Sequence, residues 1–244
     1  MKSRVFFSPC MTEALYLEAT EEREFEATVE RVVDDRVVLD RTLFYPEGGG
    51  QPFDTGVFEV DGETWNVTDV QKKDTVYHTV DGTPPEAGTT VTGRIDWDRR
   101  YAHMQYHTAQ HLLSAVLLDE YDASTTGNQL YTDRARIDCA YERFTDEEFA
   151  HIESVMNDRI EDGLEVTWYE LDREEAESSL DPERTRIHLL PESIREIRIV
   201  EIEAFDKTAC AGTHVRRTDE LGEFRITGRE TKGSDEERLK FVLD

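Results

Sequence analysis

Two short pairs of metal-binding side chains place the strongest constraint on how this chain of 244 residues can fold. His107 and His111 are four residues apart in MQYHTAQHLLSAVLL, and Cys210 and His214 are four residues apart in DKTACAGTHVRRT. Either pair alone supplies two ligands, whereas zinc takes three or four. If the pairs share an ion, the fold must therefore bring two distant segments together.

The segment around the first pair is predicted to be helical. No helix-breaking residue occurs at positions 99–120, so we expect a helix over about 98–119 with Asp96 or Asp98 as its N-cap. Residues i and i+4 lie on the same side of a helix. Both imidazoles should therefore face the same way.

Together the two pairs offer three nitrogens and one sulfur, a set that suits one tetrahedral Zn²⁺ per chain. Thr108 follows His107 at the position where H-E-x-x-H metalloproteases carry their general base. The H-x-E and P-C-x-x-C motifs of zinc deaminases are also absent. The alternative is that the histidines are hydrogen-bonded, half-buried residues and that Cys210 is a small hydrophobic residue.

Residues 1–95 have the pattern of a small β-barrel, which we predict as the N-terminal domain. Strand-like runs meet at Asp34-Asp35, Asp61-Gly62 and Asp81-Gly82, which are hairpin signals. Several short strands separated by close turns are typical of a barrel.

Residues 96–244 mix helices with strands and are predicted to form a second, α+β domain. Thr145 is followed three residues later by Glu148, a capping box that predicts a helix ending at Gly163. LEVTWYEL and IREIRIVEIEAF read as strands, DREEAESSL as a short helix, and GEFRITGRETKGSDEERLKFVL as two strands around a glycine-containing loop. The expected fold class is therefore α+β.

The chain is strongly acidic, with 55 Asp and Glu against 28 Lys and Arg and a formal net charge of −27. The acidic residues are spread along the sequence, which favours a surface adapted to molar salt, where the Debye length is about 3 Å. A basic partner is the alternative. Such a charge would ordinarily argue against nucleic-acid binding.

Targeting and redox signals are absent from the sequence. No apolar run approaches the roughly 18 residues of a membrane span, and Glu13 and Glu18 come too early for a secretory signal. Cys10, Cys139 and Cys210 form an odd set without C-x-x-C spacing, which does not indicate a disulfide framework. We expect a cytoplasmic protein that does not contact membranes.

HTAQHLL and CAGTHV resemble the metal signatures of the editing domain of alanyl-tRNA synthetase and of the free-standing AlaX proteins. Threonyl-tRNA synthetase editing domains share this metal pattern. RTLFYPEGGGQPFDTG resembles the glycine-rich motif of the alanyl-type editing proteins that carry an N-terminal barrel. IDWDRRYAHMQYHTAQH, ARIDC and TKGSDEERLKFVL extend the similarity to the AlaX family from about Glu24 to the end.

The resemblance implies a trans-acting hydrolase that cleaves the ester joining serine, or glycine, to tRNA(Ala). It implies a small β-barrel followed by an α+β editing domain with zinc at its centre. The remaining residues leave no room for an aminoacylation domain, so we expect no use of ATP. Two alternatives stay open: a non-catalytic, zinc-stabilised module that binds aminoacyl-tRNA, and a hydrolase of another small ester or amide.

The resemblance also implies roles for individual residues. His107, His111, Cys210 and His214 match the metal ligands. The remaining matches are the glycine-rich loop, the serine-sensing position and two pocket positions, namely Gly48, Gly49, Gly50, Thr42, Gln110 and Ala211. Ala211 departs from the pattern, because many relatives have glycine there. The glycines could instead form a tight turn without a ligand, and Thr42 could be an ordinary strand residue.

The chemistry of such a site is undemanding, because an aminoacyl ester is already activated. Zinc could activate a water or only orient the substrate, and the sequence does not decide between these roles. For tRNA binding, RRTDELGEFRITGRETKG places five basic residues in one region, among them Arg229 and Lys232 as candidates for substrate binding. The alternative is that these charges solvate an exposed hairpin.

Overall fold

The computed structural model describes residues 11–182, 184–185 and 187–244, so Cys10 lies outside the described residues. The chain forms two compact units. The first comprises the described residues up to Gly48 together with Pro52–Arg100, and the second comprises Gly49–Gln51 together with Tyr101–Asp244. The domain boundary at residues 95/96 stays a prediction.

The first unit contains eight strands and a short 3-10 turn at Leu15–Leu17. The strands are β1 (Glu13–Ala14), β2 (Glu24–Val33), β3 (Arg36–Leu39), β4 (Arg41–Thr42), β5 (Gly56–Val60), β6 (Glu63–Lys72), β7 (Val76–Val80) and β8 (Thr90–Ile95). Six of them close a barrel in the order β2-β3-β7-β6-β5-β8, and β1 pairs in parallel with β4. The small barrel predicted from the sequence is confirmed. The hairpin expected at Asp81-Gly82 is wrong, because β7 pairs with β3 and β6, whereas β8 pairs with β2 and β5.

Local turn chemistry explains the hairpins of the barrel. Asp34 has φ +57° between β2 and β3, and Asp61 and Gly62 have φ +50° and +89° between β5 and β6. Positive φ at both central residues matches the right-handed twist of paired strands, which is why Asp-Gly favours such turns. Alternating strand residues point inward and form one apolar core around Phe44 and Phe58.

A buried ion pair closes the glycine-rich loop within the first unit. The Tyr45 N–H donates to Asp54 Oδ2 at 2.7 Å, and the Asp54 N–H donates to the Tyr45 carbonyl at 3.0 Å. Arg100 is fully buried, pairs with the Asp54 carboxylate, and also donates to the carbonyls of Leu43 and Thr20. The two ends of the loop are therefore tied together by main-chain and charged hydrogen bonds.

The second unit combines helices with two antiparallel sheets. Helix α1 (Trp97–Tyr121) begins in the first unit, and α2 (Asp146–Glu161) and α3 (Arg173–Ser179) follow. The strands are β9 (Thr125–Leu130), β10 (Ala135–Cys139), β11 (Val166–Asp172), β12 (Glu196–Ile202), β13 (Asp206–Ala209), β14 (Phe224–Thr231) and β15 (Glu237–Leu243). The sheets have the orders β14-β15-β10-β9 and β11-β12-β13, and 3-10 turns occur at Ile187–Leu189 and Thr218–Glu220.

Both predicted helix starts are confirmed. Asp96 Oδ1 accepts the Arg99 N–H at 3.3 Å and so caps α1. Thr145 and Glu148 form the capping box of α2, which ends at Glu161, two residues before Gly163. Gly163 has φ +60°, a conformation that helix ends favour in glycine. With a six-stranded barrel and mixed helices and strands, the chain has the expected α+β content.

Candidate metal centre

Four metal-binding side chains converge within the second unit. His107 and His111 lie one turn apart on α1, and Cys210 and His214 lie in the irregular turn after β13. Their ligand atoms all lie within 4.8 Å of one another, and the three histidines are buried. Among the residues that the structure describes, this is the only such group of His, Cys, Asp or Glu. The cluster could hold a metal ion.

Two of the imidazoles have a clear hydrogen-bond partner at Nδ1. His107 Nδ1 lies 2.8 Å from Gln51 Oε1, and His214 Nδ1 lies 3.2 Å from the Thr108 hydroxyl. The amide oxygen of Gln51 can only accept, because its Nε2 donates to Thr213 at 2.9 Å, so His107 carries its proton on Nδ1. This arrangement leaves Nε2 of His107 free to bind a metal ion.

The third imidazole faces a carboxylate instead. His111 Nδ1 lies 3.6 Å from Asp206 Oδ2, which is a charge contact rather than a hydrogen bond. Arg184 holds Asp206 through two hydrogen bonds and also donates to the His111 carbonyl at 3.2 Å. A carboxylate behind a metal-binding histidine raises the basicity of that ligand.

Burial and neighbouring charges shift the pKa values of Cys210, His111 and His214. Burial raises the pKa of the Cys210 thiol, but the positive charges of His107 and His111 hold this pKa well below its usual value. Burial lowers the pKa of His111, yet the Cys210 thiolate and Asp206 raise it above the usual value. Burial, together with the charge of His107, holds the pKa of His214 well below its usual value. Thiolate and neutral imidazole are the forms that bind metal ions.

The site leaves no space for a side chain at position 212, so a glycine is needed there. A Cβ atom there would lie 2.0 Å from His107 Cε1 and 3.1 Å from Gln51 Oε1. The Gly212 N–H donates to Cys210 Sγ at 3.3 Å, a hydrogen bond that stabilises a thiolate. The glycine of the C-A-G-T-H turn therefore permits the close approach of α1 to the turn. Ala211, which precedes it, is exposed.

The glycine-rich loop contributes to the second unit through residues 49–51. Gly49 and Gly50 have φ +58° and +85°, and a Cβ at Gly50 would lie 1.6 Å from Asn128 Oδ1. The Gly50 carbonyl accepts the Leu130 N–H at 2.9 Å. Strand β9 thus fixes the loop immediately before Gln51, the residue that contacts His107. Gly48 is exposed.

The two other predicted site residues are buried. Gln110 lies on α1, between the two metal-binding histidines, and is 5% exposed. Thr42 lies in the first unit and is fully buried. Its hydroxyl accepts the Phe44 N–H at 3.1 Å and lies 2.8 Å from His78 Nε2. Because His78 Nδ1 donates to the Val37 carbonyl at 3.1 Å, Nε2 accepts and the Thr42 hydroxyl donates its proton.

The five basic residues of RRTDELGEFRITGRETKG all make contacts within the protein. Three of them form ion pairs, namely Arg217 with Asp219, Arg225 with Asp244 and Lys232 with Glu230. Arg229 donates to the Phe144 carbonyl and lies over the ring of Phe149. Arg216 lies over the ring of Trp168. These contacts accord with the alternative in which the charges stabilise and solvate a hairpin.

Comparison with known proteins decides the family. Residues 2–99 match the tRNA synthetases class II (A) family, and residues 197–240 match the threonyl and alanyl tRNA synthetase second additional domain. The alanyl-tRNA editing protein AlaX-M of Methanosarcina barkeri is 46% identical over 241 residues, which cover 96% of this chain and 99% of that protein. The chain belongs to the AlaX-M family of alanyl-tRNA editing proteins.

Other relatives show the same relationship. AlaX-M of Methanosarcina acetivorans is 44% identical over 243 residues, covering 96% of this chain and 99% of that protein. The alanine–tRNA ligase of Thermococcus kodakarensis is 43% identical over 238 residues, covering 95% of this chain but 26% of the ligase. The AlaX resemblance seen in the sequence is confirmed. Among the residues that the structure describes, no helix is both long and apolar enough to cross a membrane.

Sequence reasoning missed the residues that support the metal-binding histidines. Gln51 follows the three glycines directly, and Asp206 lies four residues before Cys210, yet neither belongs to a recognised metal motif. The Gln51 amide beside the glycine-rich loop gives no local signal of its partner, because His107 is 56 residues away. Only the folded chain brings these pairs together.

Proposed function

We propose that this chain is a zinc-dependent aminoacyl-tRNA hydrolase that removes wrongly attached serine, or glycine, from tRNA(Ala) in trans. The observation that carries the proposal is the convergence of four metal-binding side chains in a protein that aligns with alanyl-tRNA editing proteins over nearly its whole length. The relatives are named for editing of alanyl-tRNA, and this name supplies the substrate class. Hydrolysis of an ester needs no ATP.

The donor set supports zinc as the metal. Zn–N distances of about 2.0–2.1 Å and a Zn–S distance of about 2.3 Å place neighbouring tetrahedral donors about 3.3–3.6 Å apart. Cys210 Sγ lies 3.6 Å from His107 Nε2 and 3.4 Å from His214 Nε2. One thiolate with three imidazoles is a combination that zinc accepts and that hard cations such as Mg²⁺ disfavour.

His107, His111, Cys210 and His214 would hold the ion, and bound zinc would supply a positive charge that polarises an oxygen or lowers the pKa of a water. The side chains behind the ligands orient them, since Gln51 and Thr108 each engage a Nδ1 atom. Burial of the three histidines keeps water from most of the cluster. Four protein ligands usually make a closed site, which favours substrate orientation over water activation unless one ligand is displaced.

Serine can be told from alanine only by its hydroxyl, because alanine is smaller and fits wherever serine does. We retain Thr42 as the residue that senses this hydroxyl. Its proton is committed to His78 and one lone pair to the Phe44 N–H, so one lone pair remains, and Thr42 would accept the serine proton. Gln110 is the second candidate.

The proposed tRNA contacts include Gly48, Gly49, Gly50 and Ala211 beside the aminoacyl group, with Arg229 and Lys232 further along the acceptor strand. Arg229 and Lys232 would exchange their present partners, Phe144 and Glu230, for phosphate oxygens. With a net charge of −27, recognition would depend on shape and end-specific contacts more than on release of counterions. We further propose that the protein works in the cytoplasm at high salt.

A panel of aminoacyl-tRNAs tests the proposal. Zinc-loaded protein should release serine and glycine from tRNA(Ala) and should leave correctly charged alanyl-tRNA(Ala) largely intact. Seryl-tRNA(Ser) serves as the control for tRNA identity. Tight binding of seryl-tRNA(Ala) without release of serine would instead favour the binding module. A closed site with four protein ligands is compatible with that non-catalytic role. Cleavage of small esters but of no aminoacyl-tRNA would favour another hydrolase.

A further inference from the structure

The turn that carries Cys210 and His214 has no regular secondary structure of its own. It follows β13 directly, and residues 210–215 belong to neither a helix nor a strand. Two metal-binding side chains nevertheless have to be held in register with α1. Other parts of the protein must therefore fix the backbone of this turn.

Arg198 on β12 contacts this backbone at two peptide groups. Its Nη1 donates to the Cys210 carbonyl at 2.7 Å and to the Gly212 carbonyl at 3.1 Å. Its own carbonyl accepts the Cys210 N–H at 3.1 Å. The side chain and the main chain of one residue thus bind both sides of the metal-binding cysteine.

Hydrogen bonds from three side chains fix three successive peptide groups of the turn. Arg198 holds the carbonyl of Cys210, Cys210 Sγ accepts the N–H of Gly212, and Gln51 Oε1 accepts the N–H of Thr213 at 3.1 Å. Arg198 also holds the Gly212 carbonyl, on the opposite side of the peptide whose N–H belongs to Thr213. Because consecutive peptide planes share one Cα atom, these bonds restrict the dihedral angles that set the direction of the Cys210 side chain.

The guanidinium of Arg198 is itself held in place. It lies over the ring of Trp168 on β11, with 5.4 Å between Cζ and the ring centroid. This distance is within the range of cation–π attraction. The planar guanidinium therefore meets the turn in a restricted orientation, which an ammonium group on a flexible stem would not reproduce.

We propose that Arg198 is a positioning residue for the metal centre, which sets the metal affinity by fixing the 210–213 backbone. The proposal rests on the zinc site of the proposed function. A charge effect alone would act in the opposite direction, because a guanidinium near the site repels a divalent cation. The two effects of removing Arg198 therefore have opposite signs, and metal affinity distinguishes them.

The test measures the affinity of the full chain for Zn²⁺ by competition with a chelator, for the wild type, Arg198→Met and Arg198→Lys. Arg198→Met should lower the affinity by about 10- to 100-fold, the usual effect of losing a residue that supports metal ligands. Arg198→Lys keeps the charge and the aliphatic stem but reaches fewer carbonyls, and it should fall between the two. With Co²⁺ as the probe, Arg198→Met should also change the thiolate-to-metal charge-transfer band.

Arg238→Met is the matched control. Arg238 is also a partly buried strand arginine, but it pairs with Asp138 in the other sheet, so its loss should leave the Zn²⁺ affinity unchanged. Circular dichroism of the metal-free proteins shows whether each variant folds, and if Arg198→Met does not fold, Arg198→Lys decides. A folded Arg198→Met with unchanged or tighter zinc binding, or an Arg198→Lys as tight as the wild type, would overturn the proposal. Absence of deacylation by the wild type would overturn the proposed function alone.

Discussion

At the scale of single residues, the candidate metal centre has hydrogen-bond and charge partners behind its donor side chains. Gln51 receives hydrogen bonds from His107 and from the Thr213 main chain, so one amide oxygen aligns a residue of α1 with the C-A-G-T-H turn. Asp206 faces His111 and is in turn held by Arg184. Each partner restricts the tautomer or the orientation of one imidazole, which lowers the cost of organising the site for a metal.

Thr42 offers a residue-scale test of amino-acid selectivity. Thr42→Val keeps the shape of the side chain and removes its hydroxyl, and we expect seryl-tRNA(Ala) deacylation to slow by about 5- to 100-fold, equivalent to a lost hydrogen bond of about 1–3 kcal/mol. Alanyl-tRNA(Ala) cleavage should change much less, and zinc content should stay the same. The rates with the two substrates are measured side by side.

An unchanged serine-to-alanine rate ratio in Thr42→Val would remove Thr42 from the site and leave Gln110 as the candidate. The variant His78→Gln is a useful comparison with Thr42→Val, since His78 Nε2 accepts the Thr42 proton. A loss of stability without a change in the rate ratio would show that the Thr42–His78 pair serves the barrel only.

The titration of His78 gives a second residue-scale prediction. Burial lowers the pKa of His78 to about 4, from an ordinary value of 6.5. Between these values the unfolded chain binds a proton that the folded chain does not, so the free energy of unfolding falls as the pH is lowered from 6.5 towards 4, by about 3 kcal/mol in all. Above pH 6.5 this contribution is fully present.

Urea unfolding of the wild type and His78→Gln at pH 7 and pH 5 checks this expectation. The wild type should lose about 2 kcal/mol more stability than the variant over that interval. An identical pH dependence in both proteins would mean that His78 does not remain neutral in the folded barrel.

At the scale of elements, the glycine-rich loop is closed by the buried Arg100–Asp54 pair. Asp54 also accepts the Tyr45 N–H, and Arg100 also binds two carbonyls, so the first residues of α1 hold both ends of the loop. Removing one partner of such a pair leaves a buried charge uncompensated, which is more costly than removing both.

Arg100→Met should therefore lower the free energy of unfolding by about 3–5 kcal/mol. The double variant Arg100→Met/Asp54→Asn should recover part of this loss, because the neutral amide keeps an acceptor for the Tyr45 N–H without an unpaired charge. Chemical denaturation of the two variants and of Asp54→Asn alone completes the cycle. A double variant no more stable than Arg100→Met would contradict a loss caused by the uncompensated carboxylate.

The sequence predicted those elements whose signals are local. Asp34, Asp61-Gly62 and the Thr145/Glu148 capping box act through neighbouring residues, and the structure confirms the hairpins and the helix start that they predicted. The sequence also predicted the four residues that converge as candidate metal donors, because each pair occupies one helical turn or one short loop. Gln51, Asp206 and Arg198 were missed, since their partners lie far along the chain or in the backbone of another segment.

At the scale of the whole molecule, the formal net charge of −27 is the dominant feature. The described part of the chain contains many ion pairs between exposed residues, such as Arg94 with Glu24 and Glu59. Exposed pairs of this kind contribute little individually. They leave the excess of acidic residues uncompensated, so self-repulsion opposes the compact state at low ionic strength.

The melting temperature should therefore rise as NaCl is increased from about 0.1 M to 1 M, because the Debye length falls from about 10 Å to about 3 Å. Deacylation activity should follow the folded fraction. KCl should act like NaCl, whereas sucrose at matched osmolality should not reproduce the effect. A melting temperature that is flat with salt would remove the proposal of salt adaptation and leave the hydrolase proposal untouched.

The most direct test of the proposed zinc centre compares zinc content with seryl-tRNA(Ala) deacylation in the wild type, Cys210→Ala, His214→Ala and the control Cys139→Ala. Cys139 is buried, its pKa is raised to about 12 by burial, and it lies outside the cluster. We expect about one zinc per wild-type and Cys139→Ala chain, with loss of zinc and of serine release together in Cys210→Ala and His214→Ala. Full zinc retention in both of these variants, or undiminished serine release after zinc is lost, would contradict a zinc centre that performs editing.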